Sequence, residues 1–174
     1  MTFLIAANCS CLQQGATIVG ALPEGLYADF HSAAPEGSIG AHLRHCIDHY
    51  DCFLQGLGEG KIDYAKRERR IDIEQDPDTA IERLREQATE LLSLQGEWDQ
   101  DRAIEVRTVS FDAEDHGWLP STLGRELQFL LSHTIHHFAL IAMLLRLAGI
   151  TPPREFGVAP STLQFRDSQS ACAQ

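Results

Sequence analysis

The sequence predicts an all-α protein, a four-helix bundle with long crossover connections that leave room for a short β-hairpin. Three observations carry that expectation. Four segments repeat apolar residues at helical spacing, proline, glycine and capping residues separate them, and a chain of 174 residues with 44% apolar content can bury one ordinary core. Residues 1–174 are therefore read as a single domain.

The first helix runs from about Leu4 to Leu22, turns Leu12, Ile18, Val19 and Leu22 inward, and stops at Pro23-Glu24-Gly25. The second follows Pro35-Glu36-Gly37 with Ser38 as its N-cap. Its stripe is Leu43, Cys46, Ile47, Tyr50, Phe53, Leu54 and Leu57, and it ends near Gly58 and Gly60. The third starts at Asp76-Pro77-Asp78, where a capping carboxylate precedes a first-turn proline. It carries Ile81, Leu84, Ala88, Leu91 and Leu92 inward as far as Gly96. The fourth is the longest: it follows Pro120-Ser121-Thr122 and takes Leu123, Leu127, Leu130, Phe138, Ile141, Leu144 and Leu145 to a stop at Gly149 and Pro152-Pro153. Of the two long links, residues 61–75 are charged, whereas residues 102–112 alternate as a strand would. Long links allow successive helices to run parallel. The tail 152–174 is expected to be irregular and docked on the bundle through Phe156, Val158, Leu163 and Phe165.

Composition narrows the partners. Lys and Arg total 14 against 25 Asp and Glu, a net charge of −11 that repels a phosphate backbone and an anionic membrane surface. Neither nucleic acid nor a membrane is expected to bind. Five cysteines, Cys9, Cys11, Cys46, Cys52 and Cys172, form no disulfide pattern, which suits a reducing cytoplasm. The apolar start has no basic segment before it and is not read as a signal peptide. No run of about 18 consecutive apolar residues suggests a membrane span.

The histidines carry the chemical signal. Six of eight fall in two clusters, His42, His45 and His49 in the second helix and His133, His136 and His137 in the fourth. Residues four apart on a helix share a face, so His133 and His137 can direct two imidazoles at one ion. At about 100° per residue, His137 lies about 40° from the centre of its apolar stripe, His133 about 80° and His136 about 140°. The first two face inward. On the second helix, spacing favours His42 or His49, while His45 lies about 140° from the stripe centre. His45 and His49 are also four apart, which leaves a four-histidine site open. A lone inward histidine is more often a hydrogen-bonded core residue, but several imidazoles on facing helices are costly to bury without a shared partner.

His45-Cys46-Ile47-Asp48 and the His-x3-His of His133-Thr134-Ile135-His136-His137, followed by Arg146-Leu147-Ala148-Gly149, resemble the DinB-like superfamily of metal-binding four-helix bundles. That superfamily includes bacillithiol- and mycothiol-dependent transferases. The stretch 38–50 and the tail 156–162 look like an uncharacterised branch of it. The resemblance implies His45, His133 and His137 as ligands of one divalent metal ion, zinc or nickel, with His49 as the reserve. It also implies a homodimer. Many relatives carry His-Arg-Gly-Gln at the second fourth-helix ligand, where this chain has His137-Phe138-Ala139-Leu140.

Three neutral imidazoles leave positions for water or substrate, the mark of a catalytic site. The resemblance leans toward metal-dependent transfer or isomerisation with a low-molecular-weight thiol or other small-molecule substrate. A metal-dependent hydrolase and a non-catalytic, metal-stabilised or sensing bundle are the alternatives. Three further groups read as peripheral. Glu114-Asp115-His116 reads as a solvated loop, with a general base at the site's open end as the alternative; Lys66-Arg67-Glu68-Arg69-Arg70 reads as a solvated face flanked by acids, with binding of a substrate carboxylate as the alternative; and Asp48 reads as a surface charge, with orientation of a ligand histidine as the alternative.

Overall fold

The computed structural model describes residues 3–29, 37–97, 99–108 and 117–172. Four long helices form the bundle: α1 (Phe3–Gly20), α2 (Ile39–Gly56), α4 (Pro77–Ser93) and α5 (Leu123–Leu147), with the short α3 (Ile71–Gln75) and a terminal α6 (Pro160–Cys172). In cross-section the order is α1, α4, α2, α5 and back to α1, so α2 is the neighbour of both α4 and α5. The all-α bundle expected from periodicity is the observed architecture.

The predicted helix starts rest on observed caps. The hydroxyl of Ser38 accepts from the amide of Ala41, the carboxylate of Asp76 from the amides of Asp78 and Thr79, and the hydroxyl of Thr122 from the amide of Arg125. Each satisfies amides that the first helical turn leaves without a partner. The core joins Leu12 of α1, Tyr50 and Phe53 of α2, Leu84 and Leu91 of α4, and Leu127, Leu130 and Phe138 of α5, all buried. Burying one such side chain contributes about 1.5–3 kcal/mol. A polar tie crosses this core: the amide of Asn8 donates to the carbonyls of Leu4 and Leu127, and its oxygen accepts from the hydroxyl of Tyr50 at 2.7 Å. It locks α1, α2 and α5 in register. Leu92 was expected inside but is exposed, because it lies one position past the inward Leu91.

The long links add a small sheet in place of a simple hairpin. Strand β1 (Lys61–Asp63) pairs parallel with β2 (Ala103–Arg107), which pairs antiparallel with β3 (Leu119–Thr122). The strand alternation read over 102–112 is thus found over Ala103–Arg107; Val109 to Asp112 lie outside the described residues. The charged link also contains α3, whose Ile73 is fully buried. Gly40 makes this packing possible, since a Cβ there would lie 2.0 Å from the carbonyl oxygen of Glu74.

The tail corrects the sequence expectation. Residues 160–172 form α6 rather than an irregular segment. Its sequence has no continuous apolar stripe, so periodicity gives no sign of it, and Phe165 stays 64% exposed. Docking is done earlier, by Phe156 stacked on Phe138 at a centroid distance of 4.7 Å. Gly157, at φ +70, follows it where a Cβ would meet the backbone of Ala139.

By length and composition alone α5 is apolar enough to cross a membrane. In this fold it is the bundle's core helix, packed on α1 and α2.

Candidate metal centre

Packing α2 beside α5 brings their histidine faces together. The Nε2 atoms of His45 and His133 lie 2.9 Å apart, with ring centroids 5.0 Å apart. This pair is the common edge of two triangles. On one side His137 stands 4.6 Å from His45 and 4.6 Å from His133. On the other, His49 stands 4.5 Å and 4.6 Å from the same two rings. The ligating nitrogens of His45, His49 and His133 all fall within 4.8 Å of one another. His42 adjoins the far side of His137, Nδ1 to Nδ1 at 3.1 Å. His136 is exposed and meets His137 only edge-on.

The helical repeat explains the grouping. His45 and His49 are one turn apart on α2, as are His133 and His137 on α5, so two vertical pairs face each other across the helix interface. The expectation that His45 points away from the core stripe is correct for the α4 side. It misses the interface with α5, which runs along a different side of α2.

Burial keeps these imidazoles neutral. Desolvation, reinforced by the neighbouring histidines, lowers His45 to about 2 and His137 to about 3. His49 falls to about 4 through desolvation, against the opposing effect of its bond to the His45 carbonyl, and His133 is also lowered by desolvation. Neutral rings keep a lone pair each, the donor set that zinc and similar divalent ions accept. Two nitrogens at 2.9 Å can share only one proton, whereas a cation can take the lone pairs of three or four rings together. The residues therefore fit a metal ion.

His49 and His137 differ in how their nitrogens are engaged. Nδ1 of His49 lies 2.7 Å from the carbonyl oxygen of His45 and so carries the proton it donates there. Its Nε2 accepts from Nη1 of Arg67 at 3.0 Å. Both ring nitrogens are thus in use. His137 has a contact through Nδ1 to His42, and its Nε2 has no hydrogen-bond partner among the described residues.

Aromatic and acidic residues flank the His49 side. Phe129 stacks on His133 at 5.4 Å, and Tyr64 lies 5.4 Å from Phe129 and 5.5 Å from His49. The hydroxyl of Tyr64 donates to the buried Glu126 at 2.9 Å, and Ser121 donates to the other oxygen of that carboxylate. Burial and the Glu126 charge hold the Tyr64 phenol protonated, well above its ordinary pKa.

Two peripheral readings are corrected. Asp48 is 3% exposed rather than a surface charge, because α3 folds over it and Arg44 pairs with it at 3.1 Å. Arg67 belongs to the site rather than to a solvated run, because β1 and the turn over Tyr64–Lys66 carry it back across α2. Only the fold reveals that approach. Glu114, Asp115 and His116 lie outside the described residues. Cys9, Cys11, Cys46 and Cys52 are buried free thiols, as their positions on apolar faces suggest.

A profile of the DinB superfamily matches residues 17–141. The chain belongs to the DinB superfamily. The matched span begins in α1 and ends within α5, so it includes every histidine of the two clusters. The chain is also 34% identical over 115 residues to "FK506-binding protein 5" of Rhizopus delemar (strain RA 99-880). That match covers 62% of this chain and 28% of the fungal protein, so the chain spans less than a third of the length of that relative.

Proposed function

We propose that this DinB-superfamily protein binds one divalent metal ion, zinc or nickel, through His45, His133 and His137, and uses it to transfer or isomerise substrates with a low-molecular-weight thiol. The observation that carries the reading is the convergence of neutral imidazoles from α2 and α5, with ring centroids 4.5–5.0 Å apart. The set of ligating nitrogens within 4.8 Å of one another is His45, His49 and His133; the preference for His137 as third ligand rests on its uncommitted Nε2, since His49 has both nitrogens hydrogen-bonded. A bound divalent ion would supply Lewis acidity that lowers the pKa of a thiol or water reaching it.

The chain's own residues orient and shield. His42 steadies His137 through the Nδ1 contact, leaving Nε2 directed elsewhere. Phe129 and Tyr64 pack against the His133 and His49 edges. His49, tied to the carbonyl of His45, fixes one turn of α2 against the cluster.

The test is consumption of small thiols with an electrophilic acceptor by zinc- or nickel-loaded protein. Depletion that stops in His45→Ala supports the reading; no depletion with any thiol by fully loaded protein contradicts the transferase. A second reading is a metal-stabilised module without turnover, favoured by the match to a region that makes up only 28% of a longer relative. It predicts metal-dependent melting and no reaction.

A further inference from the structure

Arg67 is half-buried beside the histidine cluster, with a hydrogen-bonding pattern that a purely structural arginine would not need. Its Nη1 donates to the neutral Nε2 of His49 at 3.0 Å, and among the described residues that is its one hydrogen bond. No carboxylate among them lies within ion-pair distance of it, and the nearest favourable charge is the more distant Asp48, already paired with Arg44. The other arginines close to α2 are handled differently: Arg44 pairs with Asp48 and Glu74, and Arg83 with Asp51, Glu86 and Glu90. A guanidinium carries five N–H donors in a planar fork, so Arg67 keeps its Nε and Nη2 edge uncommitted. Partial burial of a charge without an anion is unfavourable. Arg67 lies close enough for its charge to act on His45, His49 and His133, and Tyr64 and Phe129 flank the same rings.

We propose that Arg67 is the anion-recognition residue of this site and that the ligand it selects carries a carboxylate. A carboxylate would accept two parallel N–H bonds from the fork and supply the charge the protein leaves unpaired. The same ligand would reach the ion held by the histidines, so guanidinium and metal would fix it at two points. This inference rests on the metal-binding reading above and adds the substrate class to it.

The test uses the cobalt(II)-loaded full chain, with acetate as the probe and the visible absorption of the cobalt as the readout. Imidazole serves as the neutral metal ligand for comparison. Cobalt stoichiometry is measured first in the wild type, Arg67→Gln and Arg67→Lys. With loading equal in all three, acetate affinity should fall ~10- to 100-fold in Arg67→Gln, the loss expected for charge-assisted hydrogen bonds. Arg67→Lys should recover only part of it, because it keeps the charge and loses the fork. Imidazole affinity should stay within about twofold, a change of less than a kilocalorie per mole. Acetate binding unchanged in Arg67→Gln, or acetate and imidazole weakened equally, would overturn the assignment. Failure of the wild type to load cobalt, zinc or nickel would instead overturn the metal reading, and the carboxylate assignment with it.

Discussion

Helix α2 presents two polar faces to the rest of the molecule, and they are satisfied in opposite ways. Toward α3 and α4 it offers Arg44, Asp48 and Asp51, each matched by opposite charge: Arg44 to Asp48 and Glu74, Asp51 to Arg83 at 2.6 Å. The side chain of Gln87 adds donors to Asp51 and to the carbonyl of Ile47. Toward α5 it offers His42, His45 and His49, matched by His133 and His137, a set of neutral rings that meet one another nitrogen to nitrogen, each with one lone pair and one N–H. The charges of the ionic face are matched within the protein, and Oε1 of Gln87 is the buried side-chain atom there without a hydrogen-bond partner among the described residues. The histidine face gathers neutral donors that could hold a cation. One helix thus carries both a structural clamp and a binding surface, and charge complementarity tells them apart.

The largest expected difference between the two faces is in acid. Four imidazoles are held below their ordinary pKa, so their unfolded forms bind protons more readily than the folded ones. Their stabilising contribution is full above the unfolded value of about 6.5 and is lost as pH falls toward the folded values. Asp48 runs the other way, since burial raises its carboxyl, but it is one group against four. Urea denaturation of metal-free protein at pH 7, 6 and 5 should show stability falling at each step. A double variant His45→Ala, His137→Ala should flatten the profile; a flat wild-type profile would contradict the burial argument.

Next in size is the ionic face. Arg44→Ala removes the partner of a carboxylate whose side chain is 2% exposed, and such a loss costs about 3 kcal/mol. Metal stoichiometry should not change. If it fell in parallel with stability, the two faces would not be separable.

Metal should act on the other face. A hundredfold excess of zinc over its Kd should stabilise the wild type by about 2.7 kcal/mol, raising Tm, with no increase in His45→Ala. The smallest effect belongs to His136→Ala. This residue shares the cluster's sequence but not its interior, and its removal should alter stability by less than about 0.5 kcal/mol and leave metal content intact.

Periodicity was enough to read the bundle because the four long helices carry core stripes bounded by Pro, Gly and capping residues. His133 and His137 were legible for a related reason, since a spacing of four is a local property of one helix. His45 was not legible from its own helix. The apolar stripe of α2 is set by α1 and α4, while the histidine interface is set by α5, and a single-helix average cannot represent two partners. Arg67 and Tyr64 were less legible still. They reach the site because β1 pairs with β2 and turns the chain back over α2, a contact between strands more than 40 residues apart. Asp48 looked exposed because α3, only five residues long, has too little periodicity to announce the surface it covers.

We propose that the histidine face holds one metal ion through His45, His133 and His137, with His49 committed elsewhere. The most direct measurement is metal content by elemental mass spectrometry on untagged protein, comparing wild type, His45→Ala, His133→Ala, His137→Ala and His49→Ala. About one zinc or nickel per chain is expected in the wild type and His49→Ala, with loss in the other three. Retention in His137→Ala with loss in His49→Ala would move the third ligand to the other side of the His45 and His133 pair. Absence of metal from reconstituted wild type would contradict the claim altogether.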